Sequence, residues 1–289
     1  MSNEKTNSSH SEVGRGRLLI LVTAFLWSLA GVFIKSLELH PLTIVFYRSL
    51  FAALFFVPQA ARKSRTINLP LLVSMASYTA AISSFVSANK LTTAANAIVL
   101  QYTAPIFVFI FARILFREAI SKLNLMTLIA GSIGVGVIFA GSAGLPDFDG
   151  VGVALLSGLS FSIYMTNLRF LKEVDPAYAT LANNLACCIA LFPWVHSRLT
   201  LSPVETITLI VMGVIQLGIP YFLFSKGLQR ISLQEASLIV LVEPVLNPIW
   251  VALTFSEIPS RATLIGGGII LLSLAARYVW PLSKGNFEF

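Results

Sequence analysis

The chain has 289 residues, 56% of them hydrophobic and only 11% charged, with a formal net charge of +7. Apolar runs long enough to cross about 30 Å of hydrocarbon follow one another with short polar breaks, which excludes an ordinary soluble domain. The positive excess lies in the short breaks and forms no aromatic-interleaved basic groove, so membrane lipid is an expected partner and nucleic acid is not.

Residues 1–16 form a polar tail, expected to be disordered or interfacial. The apolar run after it has no small-residue cleavage site and is read as an uncleaved first span. With it, ten spans are expected in all, at roughly 18–36, 42–58, 69–87, 93–115, 123–143, 151–171, 178–196, 206–224, 236–255 and 262–280. Helices are expected, because an open strand leaves its backbone unsatisfied in lipid and these runs lack the alternation of a barrel strand. Of the 20 Lys and Arg residues, 15 fall on the side of the N-terminus and 5 (Lys35, Arg48, Lys90, Arg198, Arg261) on the other. That split predicts a cytoplasmic-membrane protein with both termini in the cytoplasm.

One stretch occurs twice. Residues 97–119 read AIVLQYTAPIFVFIFARILFREA, and residues 236–258 read ASLIVLVEPVLNPIWVALTFSEI. An offset of 139 pairs Ala97 with Ala236, Pro105 with Pro244 and Glu118 with Glu257. Farther on, an offset of 136 pairs Thr127 with Thr263 and Gly131 with Gly267; earlier, an offset of 135 pairs Pro41 and Pro58 with Pro176 and Pro193. The chain therefore divides into residues 17–145 and 146–281, with a short tail at 282–289. Five spans per repeat turn the second copy over in the membrane, which is the inverted arrangement of secondary transporters.

The segments WSLAGVFIK in span 1, FYRSLF in span 2 and ANAIVLQYTAPIF…FRE in span 4, with a glycine-rich span after it, resemble EamA-type drug/metabolite transporters. The resemblance implies an all-α membrane protein of ten helices, built as two inverted five-helix bundles that move small metabolites such as amino acids or related compounds. Export is a common role in that family.

Glu243 stands out among the polar residues. It lies about 10 Å into span 9, where an unpaired carboxylate is expensive in lipid, and is followed by Pro244, Asn247 and Pro248. Prolines free backbone carbonyls one turn back, which suits a broken helix lining a site. Asn247 and Thr254 fall on the same face as Glu243 by helical spacing, and Glu243 is the candidate proton carrier. Arg48 is similarly deep in span 2; it either binds a substrate carboxylate, pairs with Glu243, or snorkels outward.

Gln101 and Tyr102 ahead of Pro105, Asn183 and Asn184 in span 7, and Ser160, Tyr164 and Asn167 in span 6 serve equally as helix glue or substrate ligands. Trp27 and Tyr164 offer flat faces to a substrate. Ala130/Gly134, Gly136/Ala140, Ala154/Gly158/Ser162 and Gly266–Gly268 predict close helix contacts. Pro220, after Gly218, predicts a kink in span 8. Glu118 and Glu257 have Arg117 and Arg261 nearby as partners. Cys187 and Cys188 are adjacent and apolar-flanked, so they are expected as core residues, and no histidine falls in a span.

These features predict no metal, no cofactor, no catalytic set and no ATP-binding motif. The expected function is secondary transport of a small-molecule substrate by a monomer or weak homodimer. A uniport facilitator or an importer of a sugar, nucleoside or vitamin is the alternative, and an intramembrane enzyme a distant one.

Overall fold

In the computed structural model the described residues are 2–60, 67–117, 122–142, 147–171, 173–228, 230–231, 236 and 239–283, and helix is the regular structure among them. Seven stretches are long and apolar enough to cross a membrane, and the shorter apolar helices Leu125–Gly141, Val242–Phe255 and Arg261–Ala276 bring the spans to ten. Span 1 is α1 (Ser2–Ser28) with α2 (Ala30–Ser36); spans 2 and 3 are α3 (Pro41–Ala60) and α4 (Leu69–Leu91). Span 4 is α5 (Ala94–Gln101) with α6 (Ala104–Phe116), and span 5 is α7 (Lys122–Ser142). Spans 6 and 7 are α8 (Phe148–Asn167) and α9 (Pro176–Val195). Span 8 joins α10 (Pro203–Val211), a π-helical segment Met212–Gly218 and α11 (Ile219–Leu228); α12 (Val242–Phe255) and α13 (Arg261–Ser283) are the last two.

The outer surface is apolar, with Leu253 75% and Ile189 74% exposed, as a lipid-facing wall requires. Inside, the heaviest packing joins one half to the other. Span 5 crosses span 10 where Gly134 abuts Gly266 and Ile270, Gly266 abuts Ile138, and Gly141 abuts Ala262. Numbers rise on one helix as they fall on the other, so the pair is antiparallel. At the repeat offset of 136, Gly134 and Ile270 are equivalent positions. Equivalent positions that meet on antiparallel helices mark a two-fold axis in the membrane plane, the signature of an inverted repeat.

The same relation recurs between other spans. Ser157 Oγ donates to the Ala81 carbonyl at 3.0 Å, tying span 6 to span 3. Thr23 Oγ1 stands 3.3 Å from the Pro220 carbonyl, tying span 1 to span 8. Spans 2 and 7, equivalent to each other, meet directly through Phe46 and Phe192, whose rings are 6.4 Å apart. The fold is thus ten helices in two inverted five-helix repeats, with spans 5 and 10 packed together.

Several local expectations change. The tail is helical from Ser2, continuous with span 1. Its Glu12 side chain reaches Arg230 Nε at 2.9 Å and Arg15 Nη1 at 3.0 Å, giving it partners a free tail would lack. Span 8 does carry an irregularity, but as the π-helical turn preceding Pro220, with the Ile219 N–H bonded back to Val214. Of the small-residue motifs, Gly134, Gly158 and Gly266 sit against neighbouring backbone, whereas Gly136 and Gly268 meet nothing within 4 Å.

Candidate functional site

Span 4 breaks at Tyr102 and Thr103, and span 9 breaks at Leu241. Tyr102 and Leu241 are equivalent at the repeat offset of 139, and a proline follows each by three residues, Pro105 and Pro244. Proline cannot donate the backbone hydrogen bond of a continuing helix, so the carbonyl four residues back loses its partner. For Pro244 that carbonyl belongs to Val240, and Tyr102 comes across from the other half to meet it. The Tyr102 hydroxyl is 3.1 Å from Val240 O and 2.7 Å from Glu243 Oε2. Glu243, 9% exposed, is therefore held at the break in its own span by a phenol from the break in the equivalent span.

Near this bridge is a cluster of buried and half-buried polar and aromatic groups. Tyr221 on α11 lies in electrostatic range of Glu243, Arg48, Tyr78 and Tyr164. Its ring centroid is 5.3 Å from that of Trp27, which also packs on Phe224 at 5.4 Å. Tyr78 and Tyr164 have centroids 5.7 Å apart, and the Tyr78 hydroxyl donates to Asn184 Oδ1 at 3.1 Å. Tyr164 adjoins Asn183, which is 1% exposed and has an unpartnered Oδ1. Arg48 is 3% exposed, with Tyr78, Tyr221 and Cys187 as its electrostatic neighbours. Spans 1–4 and 6–9 each contribute to this cluster; among the described residues, spans 5 and 10 contribute nothing to it.

Of the residues singled out from sequence, Glu243, Tyr102, Trp27, Arg48, Tyr164, Asn183 and Asn184 come together here. Gln101 and Asn247 are turned elsewhere. Gln101 donates to Ser157 Oγ at 2.9 Å and clamps span 4 to span 6. Asn247 packs on the Gly31 backbone of span 1, where a Cβ would stand 2.6 Å from its Oδ1; both its polar atoms lack partners. Thr254 does not extend the polar stripe, because its hydroxyl bonds back to the Trp250 carbonyl at 2.8 Å and the residue is exposed. No ion pair joins Arg48 to Glu243 among the described residues. Asn167 is glue, donating to the Pro70 carbonyl at 2.6 Å.

Sequence reasoning passed over Tyr78 and Tyr221. Each is one tyrosine in an apolar run with no repeat equivalent of its own kind, and only packing reveals them. Cys187 and Cys188 are free and buried, as expected, although Cys187 also borders the guanidinium.

A second polar network is built around Lys35, eight residues beyond Trp27 on span 1. Lys35 Nζ is 2.7 Å from Glu257 Oε2, and Glu257 Oε1 accepts from the Ala94 N–H at 2.7 Å, capping α5. Arg261, the partner expected from sequence, is exposed instead. Lys35 also donates to Thr92 O at 3.0 Å, and Lys90 to Leu37 O. Thr92 Oγ1 donates to Asp147 Oδ2 at 2.8 Å, while Asn96 accepts from Thr263 Oγ1 at 2.7 Å. Spans 1, 3, 4, 6, 9 and 10 are laced together here. Glu118, the equivalent of Glu257, lies outside the described residues. In the turn before α3, desolvation and then the Arg198 charge hold His40 below the ordinary imidazole value. No group of His, Cys, Asp and Glu suited to a metal occurs among the described residues.

Comparison with known proteins agrees with this architecture. An uncharacterized transporter of Archaeoglobus fulgidus is 27% identical over 89% of this chain and 93% of its own length. Another, from Clostridium kluyveri, is 24% identical over 91% and 93% of the two chains. A solved crystal structure shares the fold with a TM-score of 0.67 at 17% identity, covering 92% of this chain and 97% of that one. The EamA-like transporter family matches twice, over residues 14–140 and 149–277, one match for each half of the two-fold arrangement. A duplicated, inverted bundle around a shared polar centre, matched by that family along nearly its whole length, makes this chain an integral membrane transporter belonging to the EamA-like transporter family.

Proposed function

We propose that the chain exports small metabolites such as amino acids or related compounds across the cytoplasmic membrane by alternating access, with Glu243 carrying the coupling proton. The observation that supports this most is the bond from Tyr102 to Glu243. It joins the two repeats at their helix breaks, at the one buried carboxylate among the described membrane-embedded residues. Any rocking of one half against the other must stretch that bond, so proton affinity and conformation are linked through a single contact. With both termini in the cytoplasm, the Lys35–Glu257 network is the outer closure, and substrate enters the cluster from the cytoplasmic side.

Glu243→Gln tests the coupling, because glutamine keeps shape and hydrogen bonding but does not titrate. In proteoliposomes the variant is expected to lose accumulation driven by a pH gradient and to keep substrate exchange between pools at equal pH. Normal proton-driven accumulation would place coupling elsewhere. Loss of exchange as well would make Glu243 a substrate ligand or a structural group.

A further inference from the structure

Among the described residues, the guanidinium of Arg48 is a buried charge without a counter-charge. Its Nε and Nη1 atoms are buried without hydrogen-bond partners, and no ion pair among the described residues includes it. Its electrostatic neighbours are the phenols of Tyr78 and Tyr221 and the Cys187 thiol, and as neutral groups none of them carries a compensating negative charge. Span 8 packs closely on the backbone of span 2 here, a Cβ at Gly213 standing 2.7 Å from the Arg48 carbonyl oxygen. Glu243 forms no ion pair with it among the described residues, and its Oε2 accepts from Tyr102 instead.

A charge taken out of water is tolerated when it is paired and hydrogen-bonded. The group that completes Arg48 must therefore be negative, and the planar fork of a guanidinium matches two acceptor oxygens on one centre. The repeat sharpens this. At the offset of 135, Arg48 is equivalent to Asn183 and Ser49 to Asn184, so the second half offers a neutral amide where the first offers a cation. There is one cationic anchor for an anion, not two.

Resting on the carrier reading, we infer that the substrate is a small organic acid whose carboxylate docks on Arg48 while its body lies against the rings of Tyr78, Tyr164 and Tyr221. Asn183 Oδ1, beside Tyr164, then accepts a hydrogen bond from a donor on that body.

The test uses benzoate, its uncharged isostere benzamide, and benzenesulfonate, which stays ionised and does not cross lipid unaided. Purified protein is titrated with each and its unfolding temperature followed. Benzoate and benzenesulfonate are expected to raise it and benzamide to leave it unchanged. Arg48→Gln should weaken the response to benzoate by about 30-fold or more, with Arg48→Lys in between. Equal responses to benzoate and benzamide in the wild type would overturn the inference, even if the Arg48 variants fail to fold. So would an Arg48→Gln protein that keeps the benzoate response, or a wild type responding equally to chloride. Counterflow of labelled benzenesulfonate in proteoliposomes separates the two readings. Arg48-dependent binding without counterflow would leave the anion site standing and overturn the carrier.

Discussion

Gly134→Ala adds one methyl group at the crossing of spans 5 and 10. Its Cβ would lie 2.6 Å from the Gly266 carbonyl oxygen and 2.7 Å from Ile270 Cγ1, where ordinary contact begins near 3.4 Å. A backbone oxygen cannot rotate aside, so the helices must separate by several tenths of an ångström. Lipid supplies no hydrophobic drive to hold them together, and the van der Waals fit is the bond. Such overpacking costs about 1–3 kcal/mol, while alanine returns up to about 1 kcal/mol of helix propensity. Gly136→Ala, two residues along and facing nothing within 4 Å, receives the propensity gain alone. The two variants should therefore differ by about 2 kcal/mol, or about 4–8 °C in unfolding temperature. Thermal unfolding of the purified proteins in one detergent measures this. Equal melting temperatures, or Gly134→Ala the more stable, would refute the close crossing and the two-fold axis drawn through it.

At the Lys35 end, a double-mutant cycle with Lys35→Met and Glu257→Gln should show about 1–2 kcal/mol of coupling in unfolding free energy, since each side chain is about four-fifths buried. Additive losses would mean the pair does not act as a unit. Tyr102→Phe removes the hydroxyl shared by Glu243 and Val240, leaving both without that donor, and is expected to destabilise the protein by about 1–3 kcal/mol. A neutral Tyr102→Phe variant would show that water or another group replaces the phenol. Reporter tags at the termini and at Pro146 are expected to report cytoplasmic termini and an external Pro146; an external C-terminus would sink the orientation drawn from charge.

How much could be read in advance depended on whether the signal was covalent or spatial. Pro105 and Pro244, Glu118 and Glu257, and the matched glycines lie in register along the chain, so duplication, ten spans and inversion were legible without coordinates. The depth of Glu243 and Arg48 follows from counting residues into an apolar run. What those side chains touch does not. Lys35 was chosen by Glu257 over the sequence-adjacent Arg261, because a turn at Ser256 in left-handed conformation (φ 55°) re-aims the chain after α12. Gln101 and Tyr102 are neighbours in sequence yet serve different purposes, since a helix break between α5 and α6 sends one toward span 6 and the other toward span 9. Tyr78 and Tyr221 carry no local mark at all.

The cross-packing of the helices also bears on how such a protein can be assembled or taken apart. Span 1 leans on span 8, span 3 on span 6, span 2 on span 7 and span 5 on span 10, so the most extensive packing of these helices is with the opposite half. Cut between spans 5 and 6, the chain yields two fragments that each display an unmatched groove and must complement one another as a heterodimer. Two copies of one fragment cannot substitute, despite the shared ancestry. A pair of first halves would set two Arg48 side chains in one centre with no carboxylate at the Glu243 position, where that half carries Ala104. A pair of second halves would hold two such carboxylates with Leu241 in place of the phenol that grips them. Divergence after duplication has made the halves mutually obligate, and co-translation in one chain guarantees that each finds the other.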